Sequence, residues 1–150
     1  MTSIKVVNTK ETLAIAVREK VKVSEIPAAI GRMFGELYPH LGKGVHCVGP
    51  PFTLYHSWEG EVTDMEVGFP IVGKGVESGN VKTITLPAVR AAVAMHIGPY
   101  DKLTDTYHEV EEWMKVNGHM PASFCWEEYL NDPQEVPPDK LKTRLYWPII

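Results

Sequence analysis

Ala14-Ile15-Ala16-Val17 in the first half of the chain is answered by Ala91-Ala92-Val93-Ala94 in the second. The first of these stretches sits inside a strand reading over Thr12 to Val21, because Leu13, Ile15 and Val17 alternate as the apolar side of a half-buried strand does. The order of signals around it then repeats. Upstream, Ile4 to Val7 is a short strand followed by the Asn8-Thr9-Lys10 turn. Downstream, Ser24 is the expected N-cap of a helix with Pro27 in its first turn, where a missing N–H does no harm. Ile26, Ile30, Met33, Phe34 and Leu37 recur at helical spacing, and Pro39 and Gly42 end the run. After a glycine-rich loop come strands over Phe52 to Trp58 and Val62 to Val72, with Glu59-Gly60 as the turn.

The second half shows the same order. Val81 to Leu86 and Arg90 to Ile97 read as strands. Asp101 is the expected cap of a helix carrying Leu103, Tyr107, Val110, Trp113 and Met114 on one face, and Asn117-Gly118 is a left-handed stop. Phe124 to Leu130 is a strand, a Pro-rich loop covers Asp132 to Pro138, and Lys142 to Pro148 closes the chain. Phe52-Thr53-Leu54-Tyr55 aligns by eye with Phe124-Cys125-Trp126-Glu127, which makes Tyr55 the counterpart of Glu127. Met65 to Pro70 aligns with Thr143 to Pro148. The fold class expected is therefore α+β: duplicated ββαββ units, about 1–78 and 79–150, forming an antiparallel sheet with two helices and a central ligand groove. One half alone could not cover both faces of its sheet, and grooves between similar units are favoured ligand sites.

Composition bounds the function. At 150 residues with 44% apolar and 23% charged residues, the chain reads as one globular domain. A net charge of -4 argues against direct contact with nucleic acid, which favours a basic excess. The two cysteines, Cys47 and Cys125, form no Cys-x-x-Cys pair, and a reducing compartment fits them better than a disulfide framework. The Met1 to Lys5 start has neither a basic nor an apolar signal region, and no apolar run is long enough to span a bilayer, so the expected address is the cytoplasm.

Four segments carry a family resemblance: Met65 to Pro70, Ala94 to Tyr100, Trp126 to Pro133 and Thr143 to Pro148. Together they resemble the GyrI-like small-molecule-binding domain, which is also the effector-binding module of AraC-type and MerR-type regulators. The most specific pieces are His96-Ile97-Gly98-Pro99-Tyr100 and Glu127-Glu128-Tyr129-Leu130-Asn131-Asp132-Pro133. The resemblance implies a groove holding aromatic and often cationic compounds, with an acidic residue at its floor two positions before the tyrosine of the last-but-one strand. That residue is Glu127 here. It also implies three functional readings. The first is a stand-alone binding protein for aromatic, amphipathic, cationic compounds. The second is a hydrolase of strained cyclopropane-bearing genotoxins, with Glu127 and Tyr55 as catalytic residues. The third is a protein-interaction module of gyrase-inhibitor type. The sequence starts almost at once with the domain, unlike the regulators, so the expectation is that any regulation of DNA needs a partner that supplies the helix-turn-helix.

Strand alternation puts Cys125, Glu127 and Tyr129 on one face and Phe124, Trp126 and Glu128 on the other. A carboxylate facing an apolar groove is costly unless it is paired, and an organic cation would pair with it. The aromatic residues expected to line the groove are Tyr55, Phe69, Trp113, Trp126, Tyr129, Tyr146 and Trp147, which combine flat apolar surface with polar handles. His96 joins them as a group able to titrate near neutral pH, and His56 and Glu66 are weaker candidates of the same kind. No cofactor or metal is implied. His108-Glu109 to Glu112 lacks the second histidine of a zinc protease motif, and Gly42-Lys43-Gly44 and Gly73-Lys74-Gly75 lack the ending of a phosphate loop. Gly-x-Ser-x-Gly is absent, and neither cysteine has a visible activating partner.

Overall fold

A computed structural model describes residues 3–42 and 44–150. Lys43 and the Met1-Thr2 start, on which two of the sequence readings fall, lie outside the described residues. The described chain holds nine strands and two α-helices: β1 (Ile4–Asn8), β2 (Thr12–Lys22), α1 (Ile26–Leu37), β3 (Val45–Cys47), β4 (Phe52–Glu59), β5 (Val62–Gly73), β6 (Val81–Leu86), β7 (Arg90–Ile97), α2 (Leu103–Val116), β8 (Cys125–Tyr129) and β9 (Lys142–Pro148). Their contacts divide into two compact units, residues 10–88 and residues 1–9 with 89–150.

In the unit formed by residues 10–88, β6 pairs with β2, β2 with β5 and β5 with β4, all antiparallel, and β3 adds to β5. Ile15, Val17, Met65, Val67 and Phe69 are buried on one side of this sheet. Helix α1 covers that side with Met33, Phe34 and Leu37, and the Phe34 and Phe69 ring centroids lie 5.2 Å apart.

In the other unit β1 pairs with β7, β7 with β9 and β9 with β8, again antiparallel. Ala92, Ala94, Val110 and Met114 form its buried centre, with Ile4, Trp113, Trp147 and Ile149 packed against them. Helix α2 therefore lies on the Ala92 and Ala94 side of the sheet. Its end is the expected left-handed stop: Gly118 has φ +71°, its N–H reaches the Lys115 carbonyl, and the His119 N–H reaches Met114.

Apart from β3, the two units pair their strands in the same order, and each borrows its outer strand from the other half of the chain. β1 belongs with residues 89–150, while β6, read as the start of the second half, belongs with residues 10–88.

Three local expectations are corrected. Ser24 lies in a 3-10 turn over Val23–Glu25, and α1 starts without a side-chain cap, its first turn carried by Pro27. Asp101 likewise sits in a 3-10 turn over Tyr100–Lys102 and does not cap α2. In both places a short 3-10 turn takes the chain into the helix, so the cap position moves past the polar residue. The third concerns register. Pro70 pairs with Ala14 as Pro148 pairs with Ala91, which supports those two alignments. Within that frame Thr53 opposite Val67 matches Glu127 opposite Leu145, and Tyr55 opposite Met65 matches Tyr129 opposite Thr143. Tyr55 is therefore the counterpart of Tyr129, not of Glu127. A slip of two residues keeps every side chain on its face, so alternation in the sequence could not detect it.

Candidate functional site

Glu127 lies mid-way along β8, and the odd-numbered residues Cys125, Glu127 and Tyr129 face the side of the sheet on which α2 packs. The register puts Leu145 opposite Glu127 and Thr143 opposite Tyr129, and it continues from Thr143 to His96 and from Leu145 to Ala94. Under the first turns of α2 this face is polar. Toward Ala92, Val110 and Met114 it is apolar.

The Glu127 carboxylate is 4% exposed. Tyr107, from α2, donates to its Oε2 at 2.6 Å, and Tyr129 donates to its Oε1 at 2.7 Å. Hydrogen bonds to an ionised carboxylate are stronger than neutral ones and orient it. The ring of Tyr100 meets that of Tyr129 edge-on at 5.8 Å, and Trp147 meets Tyr107 edge-on at 6.1 Å. Burial first, then the negative charges of Glu127 and Asp132, raise the Tyr100 phenol above its ordinary range. The Cys125 thiol is pushed up to about 12, chiefly by burial and next by Glu127, with its contact to the Tyr107 hydroxyl opposing them. Cys125 is therefore a protonated thiol at neutral pH, without the thiolate that nucleophilic chemistry needs.

His96 is buried on the same face. Its Nε2 lies 2.9 Å from the Pro99 carbonyl, which can only accept, so Nε2 carries a proton and donates. In the neutral ring Nδ1 then accepts from the Thr106 hydroxyl at 2.7 Å. These bonds tie the end of β7 to α2, one residue before Tyr107.

The other expected site residues divide by face and by unit. Trp113 packs on the Ala92 and Val110 cluster and stacks on His119, and Trp147 donates to the Ala122 carbonyl. Trp126 and Tyr146 lie on the opposite face of the sheet, stacked at 5.0 Å, beside the Arg144–Glu128 ion pair. Tyr55 and Phe69 belong to the unit of residues 10–88, both on the side covered by α1, with Tyr55 stacked on Trp58 at 4.9 Å. His56 and Glu66 pair with each other at 2.8 Å in that same unit. A depression of about 590 Å³ there is lined by Lys20, Lys22, Glu25 and Arg32, with Arg32 already paired to Glu19.

Sequence reasoning missed Tyr107 as a partner of Glu127, because it stands in an apolar stripe with Leu103, Val110 and Met114 and reads as core. A tyrosine in a stripe of aliphatic residues is itself a signal, since a buried phenol needs an acceptor. Among the described residues no group of three His, Cys, Asp or Glu side chains is disposed to hold a metal ion. No described helix is long and apolar enough to cross a membrane.

The chain belongs to the GyrI-like family, whose small molecule binding domain matches residues 2–150. Among solved structures it is similar to the EcmrR C-terminal domain at 22% identity, covering 100% of this chain and 97% of that one, with a TM-score of 0.84. Against EcmrR in its complex with DNA the identity is 21% and the TM-score 0.83, and the chain spans 57% of that protein's length. It is also similar to SAV2435 bound to tetraphenylphosphonium (14% identity, 99% and 94% covered, TM-score 0.72). A hydrolase encoded by lin2189 from Listeria innocua is similar as well (16% identity, 98% and 91% covered, TM-score 0.69). No curated protein sequence is significantly similar.

Proposed function

We propose that the chain captures small aromatic, amphipathic organic cations, with Glu127 meeting the positive charge. The observation that carries this reading is a carboxylate 4% exposed and oriented by the Tyr107 and Tyr129 hydroxyls. A charge in such surroundings attracts an organic cation more strongly than one in water does, and neighbouring rings add about 0.5–2 kcal/mol of cation–π attraction. Tyr129 and Trp147, on the same face, are the rings we assign to the ligand's border. The similar SAV2435 structure holds a lipophilic aromatic cation, in keeping with this reading.

The test is quenching of tryptophan fluorescence by tetraphenylphosphonium, followed in wild type and in Glu127→Gln. Saturable quenching that weakens at least tenfold in the variant supports the assignment. Equal affinity in both removes the carboxylate from the binding reaction.

A second reading, hydrolysis of a strained cyclopropane-bearing electrophile, draws on the fold shared with the lin2189 hydrolase. Glu127 would act on water as a general base, and a tyrosine would position the reacting group. Turnover that follows a carboxylate titration and disappears in Glu127→Gln would favour it over simple capture.

A further inference from the structure

Thr143 is fully buried, 0% exposed, yet its Oγ1 has no hydrogen-bond partner among the described residues. Its neighbours explain this. Across β9 it pairs with His96, whose ring nitrogens serve Pro99 and Thr106. On the other side it pairs with Tyr129, whose hydroxyl proton serves Glu127. An unmade bond at a buried hydroxyl is costly, and valine has nearly the same shape as threonine without the cost. Valine would also suit a strand position. The hydroxyl is therefore unfavourable for the fold alone.

Its location suggests what it serves. Thr143 is the diagonal neighbour of Glu127 on one face of the β8–β9 pair, a separation of about 7–8 Å at the backbone that side chains shorten. One group is a carboxylate that accepts, and the other is a hydroxyl that can accept or donate. A ligand nitrogen seated between them would need N–H bonds to use both.

We propose that Thr143 makes the Glu127 site selective for N–H-bearing organic cations, protonated aromatic amines or amidines, over fully alkylated cations of equal charge and shape. This rests on the reading of Glu127 as the cation partner and adds a specificity-determining residue to it. The ammonium donates one N–H to a Glu127 oxygen and another to Thr143 Oγ1. A quaternary cation is attracted by the carboxylate but leaves the hydroxyl unmade.

The experiment is calorimetric titration of the intact chain with 1-naphthylmethylammonium and with its N,N,N-trimethyl derivative, for wild type, Thr143→Val, Thr143→Ser and Glu127→Gln. Wild type should prefer the N–H-bearing cation by about tenfold, the scale of one hydrogen bond to a charged group. Thr143→Val should abolish the preference while leaving the trimethyl derivative's affinity unchanged, and Thr143→Ser should restore it. Thermal melting of each variant verifies that it is folded, with Thr143→Val at least as stable as wild type. Equal affinity for both cations in wild type, or a preference that survives in Thr143→Val, overturns the role of Thr143 and leaves that of Glu127 intact. Insensitivity of both cations to Glu127→Gln, or binding of neither, overturns the cation site and this inference with it.

Discussion

Tyr107 and Glu127, twenty residues apart, are joined by a 2.6 Å hydrogen bond that fastens α2 to β8. The bond is charge-assisted and part-buried, so removing the phenol oxygen deprives a buried carboxylate of one of its donors. Tyr107→Phe should cost about 1.5–3 kcal/mol in urea-induced unfolding. The same change made on a Glu127→Gln background should cost less, because the acceptor is then neutral. Additive losses in that double-mutant cycle would show that the two side chains do not act together.

The two cysteines should separate in reactivity. Cys47 is exposed and Cys125 buried, with the Cys125 thiol held near 12 by burial and by Glu127. A thiol reagent at pH 8 should label Cys47 in the native protein and reach Cys125 only after denaturation. Prompt labelling of both under native conditions would contradict the protonated, enclosed state of Cys125.

The same thiol sets an alkaline limit. Its folded pKa lies above the ordinary value of 9.0, so the folded state keeps a proton that the unfolded chain releases. Stability is fully present below pH 9 and falls as pH rises toward 12, at a slope of roughly 1 kcal/mol per pH unit. Cys125→Ala should flatten that decline, which urea titrations at pH 8, 9 and 10 would measure.

On the acid side the sign reverses. Arg18 holds the Asp64 carboxyl below its usual range, mainly through a bidentate hydrogen bond. Stability from this pair is present above the unfolded pKa of 3.8 and is lost as pH falls through the lower folded value. Asp64 is mostly covered, but the Arg18 side chain is about half-exposed and water screens the pair, so the contribution is about 1 kcal/mol or less. Asp64→Asn should lower stability slightly at pH 7, and its difference from wild type should vanish in thermal melts as pH falls through the lowered folded value.

Two glycine substitutions should move stability in opposite directions. At Gly68 an added methyl would meet the Ile15 carbonyl oxygen and Phe52 Cζ, each at 2.6 Å, so Gly68→Ala should destabilise by about 1–3 kcal/mol. At Gly31, inside α1, nothing lies within 4 Å, and Gly31→Ala should stabilise by about 0.5–1 kcal/mol. Chemical denaturation of both variants measures the contrast.

Local signals were legible where one residue pattern has one outcome. The runs Val81–Leu86 and Arg90–Ile97 read as strands with the ends they have, and Gly118 read as a helix stop. Legibility failed where two local solutions compete. Val45–Cys47, inside the glycine-rich loop, becomes a strand only because the edge of β5 is there to pair with it. Ser24 and Asp101 offered caps that the 3-10 turns made unnecessary.

By itself the sequence determined the alternation that puts Cys125, Glu127 and Tyr129 on one face, the helical stripes of α1 and α2, and the repeated order of elements. Those properties follow from periods of 2 and 3.6 residues, which any local stretch carries. Only the tertiary structure decided that β1 and β6 trade places between the halves, and that Tyr55 answers Tyr129 in register. Only it brought Tyr107 to Glu127 and left the Thr143 hydroxyl unmatched. Those outcomes depend on pairings between distant segments, where a slip of two residues leaves every periodicity unchanged and only the packed whole selects one partner.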